Sequence, residues 1–208
     1  MFHKVIVAFD GSERALDALL LAEELTASDG ELIVCCVHHY PRLLAGIDPM
    51  EPSVDREAAQ ECVAKATRLL ERGLTVTPML LAGAGVAATL QRAAIAEHVD
   101  LLVLGSSHRG ALGRVFIGSV TEETLHGAPC PVAIAPVGFH GHPTGARLAR
   151  VAVGHDVVEP TPGALLVGVA LCEQSGAELR VIAVAEDAAV ADPARATMPY
   201  AAIAEARR

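Results

Sequence analysis

The sequence has no tryptophan and few aromatic residues of any kind, which make up 3% of its 208 residues. A protein that stacks single-stranded nucleic acid on aromatic side chains needs more of them. Positive charge is also scarce, because 25 acidic residues outnumber 16 lysines and arginines and leave a net charge of −9. A general electrostatic surface for DNA or RNA is therefore disfavoured, and we expect no nucleic-acid partner.

Long apolar runs and cysteine motifs are missing as well. A membrane-spanning helix needs about 18 apolar residues or more, and no window of the sequence provides them. The five cysteines contain no C-x-x-C pair, the spacing typical of zinc sites and redox motifs. We expect a cytoplasmic protein that makes no membrane contact and keeps its cysteines reduced and buried. The adjacent Cys35 and Cys36 lie in a strand-like run, so they should point to opposite faces.

Short apolar runs alternate with helical patterns along the first two thirds of the chain. Because the strands are apolar throughout, both of their faces should be buried, which is typical of a parallel sheet covered by helices on both sides. The sequence therefore predicts an α/β fold, a Rossmann-like five-stranded parallel sheet. The strands are predicted over Lys4–Phe9, Leu32–Val37, Leu74–Leu81, Asp100–Gly105 and Pro131–Pro136, and the helices over Ala15–Leu25, Val54–Gly73, Val86–His98 and Val120–His126.

One edge of such a sheet is where a ligand is expected. Right-handed crossovers place the loops that follow the strands along the carboxyl edge, and ligands bind there where the strand order reverses. Three segments should converge at this edge, namely Phe9–Ser12, Val37–His39 and Gly105–Ser119. The fifth strand should lie at the side of the sheet.

The chain also repeats part of itself. Arg150–Asp156 (RVAVGHD) resembles Lys4–Asp10 (KVIVAFD), and Ser175–Val184 resembles Asp29–Val37. The chain after Val184 is too short for a second glycine-rich loop. We therefore expect a complete domain over 1–137, a linker over 138–149 and a truncated second copy over 150–208. The histidines of the linker, His140 and His142, should have at most an incidental affinity for metal.

A glycine-rich loop follows the fourth strand and carries the strongest chemical signal. It contains Gly105, Gly110, Gly113 and Gly118, and no acidic residue occurs between Leu101 and Thr121, whereas Arg109 and Arg114 do. Backbone amides of such a loop, together with the following helix N-terminus, can bind a phosphate. The alternative is a plain connector whose helix is capped by Ser119 and Glu122 as a capping box.

Two common phosphate motifs do not fit. The Walker pattern is nearly present over Gly113–Ser119, but Ser119 stands where the lysine is required. Gly83–Ala88 matches the G-x-G-x-x-A spacing of dinucleotide sites, but the next strand ends in Gly105-Ser106-Ser107 without the acid that binds the ribose.

The segments VIVAFDGSE and VLGSSHRGALGRVFIGSVTEETLHGAPCPVAIAP resemble the universal stress protein family over Met1–Val137, and Leu148–Glu186 resembles the opening of a second such domain. The resemblance implies an adenine nucleotide alpha hydrolase-like fold that binds ATP together with Mg²⁺. ATP-binding members carry G-x2-G-x9-G-(S/T) in the loop. Here His108 stands at the middle glycine, where its Cβ narrows the approach to a phosphate, and Gly110 offers a glycine two residues later.

The resemblance also implies which residues contact the nucleotide. Asp10 matches the acid near the ribose or the metal ion, Val37 the position whose backbone meets the adenine, and the loop residues the phosphate contacts. From the residues alone, Asp10 is equally a candidate N-cap of the first helix, in competition with Ser12. The full set of candidate binding residues is Ala8, Asp10, Val37, Gly105, Ser106, His108, Arg109, Gly110, Gly118, Ser119 and Val120.

The resemblance implies a nucleotide-binding regulator of the stress response that is not an enzyme, since no catalytic lysine, general base or Ser-His-Asp order is apparent. Two alternatives stay open: an interaction module of the same family that binds no nucleotide, and an ATP-hydrolysing enzyme on this fold. The family pairs its fifth strand between domains, which implies a homodimer that covers this exposed edge.

Overall fold

A computed structural model of the chain describes residues 2–39, 53–70, 73–106, 108–109, 115–116, 118–141, 148–156 and 162–184. The chain folds into two compact units, a first over Phe2–Pro143 and a second that begins at Thr144. Within these described ranges, no helix has both the length and the apolar character to cross a membrane.

The first unit contains a five-stranded parallel sheet in the order β3-β2-β1-β4-β7, which confirms the predicted fold class. The short strands β5 and β6 form a separate two-stranded antiparallel sheet, and a 3-10 helix follows β7. The elements in chain order are β1 Phe2–Ala8, α1 Glu13–Leu25, β2 Thr26–His39, α2 Ser53–Arg68, β3 Thr75–Gly83, α3 Val86–Ala96, β4 Leu101–Gly105, β5 His108–Arg109, β6 Val115–Phe116, α4 Ser119–His126, β7 Val132–Ala135 and the 3-10 helix Phe139–Gly141.

The central strand β1 is deeply buried in the middle of the sheet. It pairs with β2 on one side and with β4 on the other, and Val5, Ile6 and Val7 are each 0% exposed. An apolar cluster joins Ile6 to side chains of β2, β4 and α3, including Leu90. The uninterrupted apolar strands are therefore buried because helices cover the sheet, as the sequence pattern predicts.

The positions of the two outer strands in the sheet are consistent with the prolines in them or next to them. Pro78 lies within β3 at the side of the sheet, where a missing ladder hydrogen bond is tolerated. The fifth strand of the sheet, β7, lies at the opposite side and pairs with β4 through Gly105 and Ala135. Its predicted position is confirmed.

Some element ends differ from the sequence prediction. β2 begins at Thr26 rather than at Leu32, so the strand runs through Gly30. A Cβ built on Gly30 would lie 2.8 Å from the carbonyl oxygen of His3, so only glycine fits this close approach to β1. α2 ends at Arg68, five residues before the predicted end at Gly73, and α3 ends at Ala96.

The second unit contains a strand, a helix and a strand. They are β8 Arg150–Asp156, α5 Pro162–Ser175 and β9 Glu178–Val184, and the two strands pair in parallel. Gly168 of α5 packs so closely that an added Cβ would lie 2.3 Å from a methyl carbon of Val153. This order of elements is the one expected for the opening of a second copy, and its origin as a truncated repeat stays a prediction.

Candidate functional site

The strand order places the predicted ligand segments beside one another. β1 lies between β2 and β4. From β1 the chain first adds β2 and β3 on one side of the sheet and then adds β4 and β7 on the other side. Val7 pairs with Val103 and Ala8 pairs with Cys35, two residues before Val37. The carboxyl ends of β1, β2 and β4 therefore form one edge at a strand-order reversal.

The turn after β1 positions Asp10 and starts α1. The hydroxyl oxygen of Ser12 accepts a hydrogen bond from the Ala15 N–H at 3.1 Å, which makes Ser12 the N-cap. Asp10 is exposed, and its Oδ1 accepts the Ser12 N–H at 3.0 Å. The competition for the helix cap is thus decided for Ser12, and Asp10 keeps a second carboxylate oxygen at the carboxyl edge of the sheet.

Ala8 and Val37 provide a partly buried apolar surface at this edge of the sheet, which we call the apolar floor. Both are partly buried and pack against the apolar cluster between the sheet and α3. Val37 pairs with Leu81 of β3. The side chain of Val37 therefore belongs to the core.

At the end of β4, Gly105 is required by packing. A Cβ built on Gly105 would lie 2.5 Å from the carbonyl oxygen of Arg14 in the first turn of α1. The hydroxyl of Thr121 donates to the Gly105 carbonyl at 3.3 Å, and the N–H of the buried Ser106 donates to the Ala135 carbonyl at 3.1 Å. Gly105 therefore brings α1, β4 and α4 together, which is a reason for glycine independent of any phosphate.

The glycine-rich loop is more regular than the sequence suggests. His108 and Arg109 form β5, which pairs antiparallel with Phe116 and Val115 of β6. Extended backbone of this kind is open to any residue, so His108 needs no glycine-specific conformation where family members carry glycine. Gly110 and the side chains of His108 and Arg109 lie outside the described residues.

α4 begins differently from the capping-box alternative. The N-cap is Gly118, which has no side chain to accept a capping hydrogen bond. Ser119 is the first residue of the helix. The capping-box prediction is wrong, because Ser119 stands one position too late to cap. Ser119 and Val120 are both exposed in the first turn. No side chain of the described residues caps this helix start, so its partial positive charge is available to an anion.

An Asp17–His140 clasp is the clearest feature that the sequence analysis missed. Asp17 of α1 has a side chain only 2% exposed. Its Oδ1 accepts the backbone N–H of His140 at 2.8 Å and lies 2.6 Å from His140 Nδ1, and its Oδ2 accepts the Gly138 N–H at 2.9 Å. The acid on the buried side of a helix was the available signal, but its partner lies more than a hundred residues away in the sequence.

The clasp borders a cleft of about 460 Å³. The residues that line it come from the start of α1 and from the segment after β7, and they are Ser12, Glu13, Arg14, Asp17, Val137, Gly138 and His140. Among the described residues, the predicted nucleotide-binding positions do not line this cleft, but Ser12 does, and its N–H donates to Asp10 at the carboxyl edge. The cleft therefore adjoins the turn that positions Asp10.

The opposite edge of the sheet has a different chemistry. Lys4 Nζ lies 2.8 Å from Glu97 Oε2 and 3.7 Å from Glu31 Oε2, and His3 Nδ1 lies 3.5 Å from Asp29 Oδ1. The hydrogen bond that Lys4 donates to Glu97 raises the pKa of Lys4. Charges at the amino edge are thus paired with each other, which distinguishes them from Asp10 at the carboxyl edge.

The cysteines behave as the strand geometry predicts. Cys35 packs in the apolar cluster against α3, whereas the adjacent Cys36 lies on the other face of the strand and is also buried. Burial raises the pKa of Cys35 to about 12 and that of Cys36 to about 11. All five cysteines are free thiols, but only Cys35 and Cys36 are buried as expected, because Cys62, Cys130 and Cys172 are partly exposed. The described residues contain no group of three metal-ligating side chains.

Comparisons with known proteins agree on one family. A model of the universal stress protein family matches residues 1–136. A Thermus aquaticus protein, the universal stress protein in QAH/OAS sulfhydrylase 3'region, is 33% identical over 141 residues, which cover 64% of this chain and 98% of the relative.

Solved structures show the same likeness over the first unit. A universal stress protein family member from Burkholderia pseudomallei is 32% identical with a TM-score of 0.51, covering 64% of this chain and 96% of its own. A universal stress protein in complex with cAMP is 20% identical with a TM-score of 0.52, covering 66% and 99%. The family model and the T. aquaticus relative confirm the resemblance of the sequence motifs, and this chain belongs to the universal stress protein family.

Proposed function

We propose that the first unit binds an adenine nucleotide, ATP with Mg²⁺, at the carboxyl edge of its sheet. The observation that carries this proposal is the placement of Asp10 and the end of β4 on neighbouring strands at the strand-order reversal. The second carboxylate oxygen of Asp10 would hold a ribose hydroxyl or the metal ion. The start of α4, which has no side-chain cap, would face the phosphates.

The residues present fit such a ligand. An exposed carboxylate, a partly buried apolar floor and a helix N-terminus provide one group for each part of a nucleotide. The solved relative in complex with cAMP shows that one protein of this fold binds an adenine nucleotide. Its identity to this chain supports the fold alone, so the proposal depends on the geometry of this chain.

We infer a regulatory role rather than catalysis. The phosphate end of the proposed site offers backbone amides of α4, and the described residues 118–121 at that end carry no lysine, histidine or carboxylate side chain. Amides bind and orient a phosphate tail but do not accept a proton from an attacking water. Binding would then bias the conformation or the partner of the protein.

Calorimetric titration with Mg-ATP tests the proposal. We expect saturable binding by the unaltered chain and an affinity about tenfold lower or worse for Asp10→Asn, since hydrogen bonds to a charged group contribute about 1.5–3 kcal/mol. Asp29→Asn is the matched control, because it removes the same charge at the amino edge. If the unaltered chain takes up no nucleotide, or Asp29→Asn weakens binding as much as Asp10→Asn, the proposed site is wrong.

Two further parts of the proposal have simple measurements. A steady-state phosphate-release assay should show no turnover beyond a slow background, and sustained turnover would favour the hydrolytic alternative.

β7 pairs on one side only among the described strands, and its other side is proposed to pair with a second copy in a homodimer. Light scattering should then give twice the chain mass of 21.6 kDa.

A further inference from the structure

One side of β8 has no neighbouring strand among the described residues. β8 pairs with β9 on one side only, whereas β1, whose sequence it resembles, pairs with β2 on one side and with β4 on the other. The side of a strand that faces away from its neighbour presents N–H and C=O groups that can hydrogen-bond to another strand. We call the side of β8 that faces away from β9 the open edge.

The hydrogen bonds to β9 show which residues of β8 face the open edge. The N–H of Glu178 in β9 donates to the carbonyl of Ala149 at 3.0 Å, so Ala149 faces β9. Because the N–H and C=O groups of successive strand residues point to opposite sides, every second residue from Arg150 onward faces the open edge. These residues are Arg150, Ala152, Gly154 and Asp156.

The first unit uses the same side of β1 to hold β4. Lys4 stands in β1 where Arg150 stands in β8, and its carbonyl accepts the N–H of Asp100 at 2.8 Å. Val5, the next residue, pairs with Leu101 of β4. The open edge of β8 is therefore the side on which β1 has a strand beside it.

The sequence along the open edge is self-complementary. In an antiparallel pair of two β8 strands centred on Val153, Arg150 of each copy lies opposite Asp156 of the other. Both side chains are exposed, and they lie on the same face of β8 because an even number of residues separates them. Opposite charges placed in this way stabilise a strand pair. Ala152 lies opposite Gly154, so no bulky side chains meet between the charged ends.

The same register also matches the backbone groups of the open edge. In an antiparallel pair, two residues that face each other exchange both of their hydrogen bonds. In the register centred on Val153, the four residues that face the open edge of one copy lie opposite the same four residues of the other. A shift by one residue would place them opposite residues that face β9. A shift by two residues would take Arg150 and Asp156 out of opposition.

α5 provides apolar surface for the same association. A Cβ built on Gly168 would lie 2.3 Å from Val153 of β8 and 3.3 Å from Leu179 of β9, so the helix covers both strands. A two-fold axis perpendicular to the sheet puts both copies of α5 on one face, about 10 Å apart, which is an ordinary distance for packed helices. Leu166 is 58% exposed and Val167 is 40% exposed on α5, so apolar side chains are available to a neighbouring helix.

We propose that the open edge of β8 binds the same edge of a second copy of this chain and forms a four-stranded sheet in the order β9-β8-β8-β9. The partner is a second copy because the charges at the two ends of the edge fit an antiparallel β8. This interface goes beyond the proposed function. It uses neither the nucleotide site nor β7, the strand on which the proposed homodimer of the first unit depends.

Sedimentation equilibrium of the full chain at low ionic strength tests the interface. The edge is short, so its pairing adds to other association only as the chain concentration rises. Ala152→Pro removes an N–H that faces the open edge and spares the hydrogen bonds to β9, and proline is tolerated on such an edge. At high concentration we expect the mass of this variant to be about half that of the unaltered chain. Ala152→Thr keeps the N–H and is the matched control, which should keep the mass.

An exchange of charges tests the register. Arg150→Asp and Asp156→Arg each place like charges opposite one another and should each weaken association about tenfold at low salt. An equal mixture of these two variants should associate again, because every carboxylate then lies opposite an arginine of the other chain. The double variant should also recover association. A defect in the fold of either single variant would not be cured by mixing.

The proposal is overturned if Ala152→Pro keeps the mass of the unaltered chain, if the single charge variants associate as the unaltered chain does, or if neither the mixture nor the double variant recovers association. Circular dichroism shows whether each variant is folded, and the charge variants decide the matter if Ala152→Pro is not. A dimer that Ala152→Pro converts to a monomer supports this interface and contradicts the β7 homodimer. None of these results depends on nucleotide titration, so failure here is distinct from failure of the proposed function.

Discussion

β1 and β8 have similar sequences and different burial. KVIVA in β1 is followed by Phe9 and Asp10, and β8 reads RVAVGHD. Val5, Ile6 and Val7 are fully buried, whereas Val153 is the one buried residue of β8. β1 pairs on both sides, and β8 pairs only with β9 among the described strands. An apolar run therefore predicts a strand, but the number of neighbours decides how much of it is buried.

The helices show the same contrast. α1 buries most of its length against the sheet, including Leu19 and Ala22 at 0% exposure. α5 buries Leu165 and Gly168, and its Leu166 remains 58% exposed. In the second unit Ile182 of β9 is also 55% exposed. A single helix on two strands buries one stripe of apolar residues and leaves the rest at the surface.

The largest expected effect comes from truncating the buried strand. Ile6→Ala should lower the free energy of unfolding by about 2–5 kcal/mol, because the closely packed cluster around Ile6 leaves a cavity. Val153→Ala in β8 should cost less, since fewer neighbours surround it. Urea denaturation followed by circular dichroism measures both. Equal losses would mean that the two strands are equally supported in solution, against the burial contrast.

Removing the buried acid of the Asp17–His140 clasp should have the next largest effect. Asp17→Ala leaves the N–H groups of Gly138 and His140 without their acceptor, which should cost about 3 kcal/mol. The predicted linker over 138–149 should then be cleaved faster in limited proteolysis. Asp29→Ala is the control, because its side chain is 77% exposed and should leave both properties unchanged. Unchanged cleavage in Asp17→Ala would show that the clasp does not hold the linker.

A glycine in each unit sharpens the comparison further. Gly105→Ala places a Cβ against the Arg14 carbonyl and should cost about 1–3 kcal/mol, as overpacking does. Gly154→Ala in β8 meets no atom within 4 Å and should be neutral or slightly stabilising. Thermal unfolding curves of the two variants decide this. A destabilised Gly154→Ala would indicate that β8 is covered in solution.

The smallest effect is a pH dependence of stability that comes from two buried thiols of β2. Because burial raises the pKa of Cys35 and Cys36 above the ordinary value of 9.0, folding favours their protonated forms. This contribution is complete below pH 9 and is lost as the pH rises through about 11 and about 12. A double variant, Cys35→Ala with Cys36→Ala, should show a smaller fall of stability from pH 9 to pH 11. An identical pH profile would show that these thiols are solvated.

Several features were predictable because they depend on neighbours in sequence. The five strands, their parallel arrangement and the outer position of β7 follow from apolar runs and proline. Gly30 was not predictable as part of β2, since its reason is the His3 carbonyl on another strand. The cap of α4 was misassigned by one residue, because glycine and serine adjoin there and both are good N-caps.

The features of the candidate site also separate into those that the sequence predicts and those that only the structure shows. The sequence alone determined that this chain forms an α/β fold of the universal stress protein family and that Asp10 and the glycine-rich loop lie at the ends of strands. Only the tertiary structure decided that Asp17 holds His140 and that Gly105 is fixed by Arg14. Hydrophobic periodicity and sequence motifs indicate which residues are buried and where the chain turns. Contacts between distant segments depend on how the layers pack, and no local pattern in the sequence specifies that packing.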